Sequence, residues 1–306
     1  MKNVLSLFNG ISGCHLALDR TGLSLGIVYY SEIDKYANAV TQHHYPQDIA
    51  IGDVTKWEEW DIDWSSIDLV TAGFPCQDWS IAGLQLGDKD ERGALFWTTL
   101  EIIAKVLKHN PDAKFLMENV KMKKDFEQYI THHTTQALGY VEKTLINSAL
   151  VSAQNRNRYY WTNFPVAQPE DKGILLKDIL EDGETNCLTA VQKDNVVVYR
   201  PCERVKDGNV GHVANTTDIK GMNCIKRVYG QDGKAPTLTT MGGGHRQPKV
   251  LTSEITYRKL TPLECERLQT IPDNWTCDLS NTQRYKSIGN GWTIDVIAHI
   301  LKCAFK

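Results

Sequence analysis

The chain has 306 residues and a net charge of −3, with 42% hydrophobic and 23% charged residues. This is the balance of a soluble globular protein, with room for about two domains of ~150 residues or one large domain with an insertion. No apolar run approaches the ~18 residues that span a bilayer. The amino-terminal MKNVLSLFNGISG has no long apolar segment and no small-residue cleavage site, so no signal peptide is expected. The eight cysteines, at 14, 76, 187, 202, 224, 265, 277 and 303, form no C-x-x-C pair and have no histidine at zinc-finger spacing. A metal site is therefore not expected, and thin cysteine spacing suits reduced thiols in the cytosol.

The first ~160 residues alternate strand and helix signals. Val4 to Phe8 reads as a strand, Gly10 to Gly13 as a tight turn and Cys14 to Arg20 as a helix. Gly26 to Ser31 is a second strand, Asp34 to His44 a second helix and Ile49 to Val54 a third strand. Leu69 to Gly73 is a fourth strand. Leu95 to Leu107 is a helix ended by Asn110-Pro111, and Lys114 to Met117 is a fifth strand running into Glu118. Helix and strand follow once more through Phe126–Leu138 and Val141–Val151. This alternation predicts an α/β fold with a doubly wound, mostly parallel sheet.

In such sheets ligands bind at the carboxyl ends of the strands, and the chemistry-bearing residues cluster there. FNGISG has F-x-G-x-x-G spacing after the first strand, where glycines let backbone approach a ligand at a helix N-terminus. Glu32 ends the second strand, placed to accept from ribose hydroxyls, and Asp53 ends the third, placed to accept from an exocyclic amine. Either carboxylate could instead be a helix cap. Together with the turn they outline a nucleoside-sized pocket. No G-x-x-x-x-G-K-[ST] is present, so a nucleoside triphosphate is not indicated. The fourth strand leads into Pro75-Cys76 and the fifth into Glu118-Asn119-Val120. A lone cysteine in a turn is ordinarily packing. A thiol beside a carboxyl, however, suits covalent catalysis with proton assistance at an electron-poor carbon. Gln154, Arg156 and Arg158 alternate in an expected strand and would share one face.

The series FNGISG, SEID, GDV, GFPCQDWS, MENV and QNRNR, in that order, resembles the motifs of the DNA (cytosine-5)-methyltransferase family. YRKLTPLECERLQTIPDNW and QRYKSIGNGW resemble its last two. The likeness covers nearly the whole chain apart from about Asn163 to Ile255, where the family carries its variable target-recognition domain. It implies a catalytic and cofactor-binding domain at 1–162 with the S-adenosylmethionine-dependent methyltransferase fold. A smaller target-recognition domain would follow at 163–255, and a C-terminal segment at 256–306 would return to the first. Helix 292–305 would pack back on that domain.

By the resemblance, Cys76 is the nucleophile that adds to C6 of a flipped-out cytosine. Glu118 contacts N3 and the exocyclic amine. Arg158 contacts the cytosine carbonyl or, with Arg156, orients Glu118. Gln154 is structural. S-adenosylmethionine is the methyl donor and S-adenosylhomocysteine the product. Phe8 would pack on adenine, and Asn9, Gly10, Ile11 and Gly13 would approach the methionine part. Glu32 would hold the ribose and Asp53 the adenine amine, with Ile33, Val54, Pro75 and Leu95 lining the pocket and Asn290 and Gly291 closing it. Four positions depart from the family pattern. Ser6 stands where aspartate is common, Ser12 where glycine is, Ile33 where tryptophan is, and Gly291 where a small hydroxyl or alanine is. These are expected to tune cofactor affinity.

From Ala190 to Leu260 there are twelve basic and six acidic residues, a surplus of six positive charges against nine negative in the rest of the chain. A basic segment on an acidic protein can be the footprint of a polyanion. Double-stranded DNA is the expected partner. Arg227, Thr237 and Arg246 are candidate contacts there, the two arginines being equally readable as solvated surface residues. From the nucleophile's loop the candidates are Gln77, Ser80 and Arg92. The loop Gln77 to Gly93 is expected to close over DNA. Two other readings stand: a methyltransferase acting on tRNA cytosine, and a non-catalytic DNA-binding relative. The basic insert argues against the first and the intact site residues against the second. The expectation is a monomeric, cytoplasmic enzyme of a bacterium or phage, of the kind found in restriction–modification.

Overall fold

The computed structural model describes residues 1–75, 91–181, 195–196, 211–216, 219, 222–242, 245–252 and 256–305. Of 91–93, 195–196, 223 and 256 it describes the backbone alone. The chain forms two compact units. Unit 1 is Met1–Ile146, Asn157–Pro169 and Val296–Lys306, and unit 2 is Asn147–Arg156 and Glu170–Asp295.

Unit 1 is built on the strands β1 (Lys2–Leu7), β2 (Leu25–Ser31), β3 (Ile49–Gly52), β4 (Ile67–Ala72), β5 (Lys114–Val120), β6 (Glu142–Asn147) and β7 (Asn157–Thr162). They form one sheet in the order β3-β2-β1-β4-β5-β7-β6. The first five pair in parallel and β7 runs antiparallel to β5. The fold is thus mixed α/β with a large, mostly parallel sheet, as the alternation predicts. The central strands carry near-continuous apolar runs because both faces are covered: Val4, Leu5 and Leu7 of β1, and Phe115, Leu116 and Met117 of β5, are buried. The helices of this unit are α1 (Gly13–Asp19), α2 (Lys35–His44), α3 (Glu91–His109) and α4 (Lys124–Leu138). Phe96, Leu100, Ile103 and Val106 recur at helical spacing on α3, and all are buried in the main core. The chain winds outward from β1 in one direction and from β4 in the other. The strand order therefore reverses between β1 and β4, the switch point where open α/β sheets bind ligands.

Unit 2 holds a second sheet, ordered β8-β12-β11-β10-β9, from β8 (Asn195–Val196), β9 (His212–Asn215), β10 (Arg227–Tyr229), β11 (Lys249–Leu251) and β12 (Thr256–Lys259). α5 (Pro262–Leu268) opens with Pro262 and a reciprocal cap: the Glu264 amide donates to Thr261 Oγ1 at 3.2 Å, and the Thr261 amide to Glu264 Oε2 at 2.8 Å. α6 spans Asn281–Asn290. The sequence reading gives 147–156 to the first domain and 256–295 to a returning segment; both lie in unit 2. The reason is local pairing. β12 is hydrogen-bonded to β11, and Cys265 and Leu268 of α5 fill the core of this unit with Leu238, Val250 and Ile288. The return to unit 1 is made by α7 (Ile294–Ala304) from Val296 onward. There His299 Nε2 lies 2.8 Å from the Ala167 carbonyl.

Candidate active site

The parallel register sets the carboxyl ends of five strands level. Gly52 of β3, Ser31 of β2, Leu7 of β1, Ala72 of β4 and Met117 of β5 are successive partners across the sheet. The next residue of each strand is Asp53, Glu32, Phe8, Gly73 or Glu118. One row at the switch-point edge therefore carries the three candidate cofactor residues, the entry to the cysteine loop and the candidate catalytic carboxyl. Neighbouring strands stand about 5 Å apart.

The turn after β1 is held in an unusual backbone conformation. Phe8, Gly10 and Ser12 have φ of 54°, 57° and 63°, in the left-handed region that side chains disfavour. A buried polar cluster holds it there. Ser6 Oγ donates to Asn9 Oδ1 at 2.8 Å, and Asn9 Nδ2 donates to Ser12 Oγ at 3.2 Å and to Thr41 Oγ1 at 3.1 Å. Ser12 Oγ in turn donates to Thr41 Oγ1 at 2.8 Å. Two of the family departures, Ser6 and Ser12, thus belong to a single network. Nothing lies within 4 Å of where a Cβ on Gly10 would stand, so the backbone there is open to a ligand. Ile11 and Gly13 are buried, at the entry to α1. Cys14, next in the chain, is buried, and desolvation pushes its thiol up to about 12, so it is no competing nucleophile.

Glu32 closes the turn from the neighbouring strand. Its Oε2 accepts from the Gly10 amide at 2.8 Å, and its Oε1 from the amides of Ile33 and Asp34, each at 2.8 Å. Ile33 beside it is 76% exposed, an apolar side chain with little protein to cover it. Asp53 caps the 3₁₀ turn Val54–Glu59 through Oδ1, which accepts from the Thr55 amide and hydroxyl, each at 2.9 Å. Its Oδ2 has no partner among the described residues. Val54 is buried, Pro75 half-buried, and Leu95 packs on the main core. These residues fit an adenosine-bearing cofactor: an open glycine backbone, an exposed aliphatic side chain and two carboxylates with acceptor capacity remaining.

Glu118 is only 8% exposed, and its Oε1 pairs with Arg158 Nε at 2.9 Å. The antiparallel ladder brings them together: Arg158 is opposite Val120, so Glu118 is its diagonal neighbour on the same face. Arg158 Nη1 also donates to the Asn157 carbonyl at 2.9 Å. Asn119, which the sequence reading leaves without a role, donates through Nδ2 to the Phe74 carbonyl at 3.3 Å. It ties the end of β5 to the stretch leading into the cysteine loop. Cys76, Gln77 and Ser80 lie outside the described residues, as does the side chain of Arg92.

The strand begins only at Asn157, so the alternation that would align Gln154, Arg156 and Arg158 does not extend back to Arg156. Buried in unit 2, its guanidinium donates to the carbonyls of Leu238 at 3.1 Å, Gly289 at 3.5 Å and Gly291 at 2.9 Å. Gln154 is fully buried; its backbone bridges Ala235, and its carboxamide makes no hydrogen bond among the described residues. Thr237 Oγ1 donates to the Asn155 carbonyl at 2.7 Å, an internal contact. Gly291 also accepts from Gln269 Nε2 at 3.1 Å, while Asn290 is exposed. Residues 154–156, 235–241 and 288–291 are therefore knitted together within unit 2. Of its basic residues, Arg258 pairs with buried Glu264 at 2.6 Å. Lys234 Nζ donates to the carbonyls of Ala149, Ser152 and Ile174 at 2.8, 3.1 and 2.5 Å. Arg227 and Arg246 are exposed. Among the described residues no group of three or more His, Cys, Asp or Glu side chains could hold a metal, and no helix is long and apolar enough to cross a membrane.

Over residues 2–306 the chain matches the C-5 cytosine-specific DNA methylase family, and it belongs to that family of DNA (cytosine-5-)-methyltransferases. It is similar to the Type II methyltransferase M.NlaX of Neisseria lactamica, with 32% identity covering 98% of this chain and 95% of that one. The Type II methyltransferase M.HhaI of Haemophilus parahaemolyticus is 31% identical, covering 97% and 92%. The orphan methyltransferase M.SPBetaI of Bacillus phage SPbeta is 28% identical, covering 98% and 96%. Among solved structures, Entamoeba histolytica methyltransferase EhMeth has a TM-score of 0.69 at 15% identity, covering 100% of this chain and 98% of that one. A variant of Spodoptera frugiperda DNMT2 has a TM-score of 0.66 at 19% identity, covering all of both chains. These two show the shared fold.

Proposed function

We propose that this enzyme transfers a methyl group from S-adenosylmethionine to C5 of a flipped-out cytosine in a specific duplex DNA sequence, through a covalent bond between Cys76 and C6. The observation that carries the reading is the level row of Asp53, Glu32, Phe8, Gly73 and Glu118 at the switch-point edge, with Arg158 locked onto Glu118. Unit 1 is the catalytic and cofactor-binding part and unit 2 the target-recognition part. Phe8 to Gly13, Glu32, Ile33 and Asp53 hold the cofactor, with Val54, Pro75 and Leu95 lining its pocket and Asn290 and Gly291 contributing from the C-terminal motif. S-adenosylmethionine, when bound, supplies a methyl group on a sulfonium that leaves as the thioether of S-adenosylhomocysteine.

The Cys76 thiolate bonds to C6 and pushes the ring's electron pair toward C5. Glu118 contacts N3 and the exocyclic amine and stabilises the added state as charge moves onto the ring, while Arg158 fixes its orientation and steadies the carbonyl side of the ring. C5 then carries the pair that takes the methyl group. Loss of the C5 proton to a base returns a pair to the ring, which expels the Cys76 thiolate and restores aromaticity. No side chain could reach a base stacked in a duplex, so the cytosine must leave it at a cost of a few kcal/mol. Contacts to DNA offset that cost, with Gln77, Ser80, Arg92, Arg227 and Arg246 as candidates. The reaction takes place in the cytoplasm of a bacterial or phage-infected cell.

The adduct is tested with duplex DNA containing 5-fluorocytosine, in which C5 has no proton to lose once methylated. The full-length enzyme with S-adenosylmethionine is expected to stay attached to this DNA through a denaturing gel, while Cys76→Ser binds DNA but is neither trapped nor active. Near-normal turnover by Cys76→Ser would refute the assigned nucleophile.

A further inference from the structure

Lys249 is a costly residue to bury. It is 2% exposed, and an ammonium taken out of water must find partners for all three of its protons. Its Nζ donates to the carbonyls of Ile225 at 2.7 Å, His245 at 2.8 Å and Gln247 at 3.2 Å. Two of these carbonyls flank Arg246, and the third lies two residues before Arg227. Arg227 and Arg246 are both exposed. The strands agree with the clamp: Val228 of β10 is paired with Lys249 of β11, which sets Arg227 at the start of the neighbouring strand. His245 has φ of 64°, a conformation that a non-glycine residue keeps only where its surroundings impose it. A single buried charge therefore gathers the backbone on both sides of one exposed arginine and just ahead of another.

We propose that Lys249 is a positioning residue for DNA recognition: it fixes the backbone from which Arg227 and Arg246 reach the DNA, before DNA arrives. The inference rests on the reading that these arginines contact DNA. Preorganising the two loops removes an ordering cost from binding, so its loss weakens and broadens recognition without touching the chemistry. Lys234 is the internal control. It clamps three carbonyls in the same manner, but these lie away from either arginine in sequence.

The test uses the full-length enzyme and unmethylated plasmid DNA, with steady-state kinetics and bisulfite sequencing of the product. Lys249→Met is expected to raise the KM for DNA about tenfold, to leave kcat within about threefold and to add methylated sites that the parent does not use. Lys249→Arg should recover part of the loss. Lys234→Met should lower the melting temperature without the selective KM change. Arg246→Ala should raise KM for DNA by itself and add little in the Lys249→Met background, because the arginine has already lost its seat. An effect of Arg246→Ala that adds fully to that of Lys249→Met would overturn the positioning role and leave the arginine contact standing. Arg227→Ala and Arg246→Ala both without effect would instead sink the contact reading. Should Lys249→Met not fold, hydrogen exchange of the parent enzyme decides: amides of residues 245–252 are expected to be protected in the absence of DNA, and exchange there at unfolded-chain rates would overturn the proposal.

Discussion

Ser12 shows how one substitution away from a family pattern is accommodated. Its φ of 63° would cost a side-chain-bearing residue about 1–2 kcal/mol that glycine escapes. The hydroxyl offsets this by joining Asn9 and Thr41, at about 1 kcal/mol for each buried hydrogen bond. Ser6 completes the arrangement by holding Asn9 Oδ1 with a neutral hydroxyl where aspartate would bring a buried charge. The cluster holds the candidate cofactor turn, Asn9 to Gly13. Thr41→Val keeps the shape and removes the shared partner, leaving Ser12 and Asn9 donors unsatisfied. It is expected to cost about 1–3 kcal/mol in denaturant unfolding. It should also raise the KM for S-adenosylmethionine more than it changes kcat. An unchanged KM would mean that the cluster serves stability alone.

At the scale of elements, each unit has its own device: the parallel register in unit 1 and close backbone approach in unit 2. A Cβ on Gly289 would stand 1.8 Å from the Thr239 carbonyl oxygen, a backbone atom that cannot turn aside. Gly289→Ala is therefore expected to destabilise the protein by at least about 1–3 kcal/mol, measured by thermal or denaturant unfolding. A wild-type melting curve would contradict the close contact. The strand ends were readable in the sequence because the runs VLSLF and LVTA stop at a polar residue or glycine, Asn9 and Gly73. The register was not, since pairing depends on neighbours far along the chain. The alternation expected of Gln154, Arg156 and Arg158 stops short of Arg156 for a physical reason. Alternation of faces holds only inside a strand, and the chain enters strand geometry at Asn157. Lys249, Asn119 and Thr41 carry no local signal, because their work is to bind backbone or side chains brought near by folding.

Among the described residues between Ala190 and Leu260, some basic side chains build the fold and others stand exposed. Lys234, Lys249 and Arg258 belong to the first group, held by carbonyls or by Glu264. Arg227 and Arg246 are exposed, and Arg227 also bonds the Tyr229 hydroxyl. Net charge alone does not announce a nucleic-acid partner, and the distribution points toward one. The central claim is the proposal that a cytosine in one DNA sequence receives a methyl group at C5 through Cys76. The most direct measurement is bisulfite sequencing of DNA from a methylation-free host expressing this chain or its Cys76→Ser variant. The account predicts 5-methylcytosine confined to one short sequence context with the parent chain and none with the variant. Unmethylated DNA from cells containing folded parent enzyme, or methylation found on tRNA alone, would contradict it.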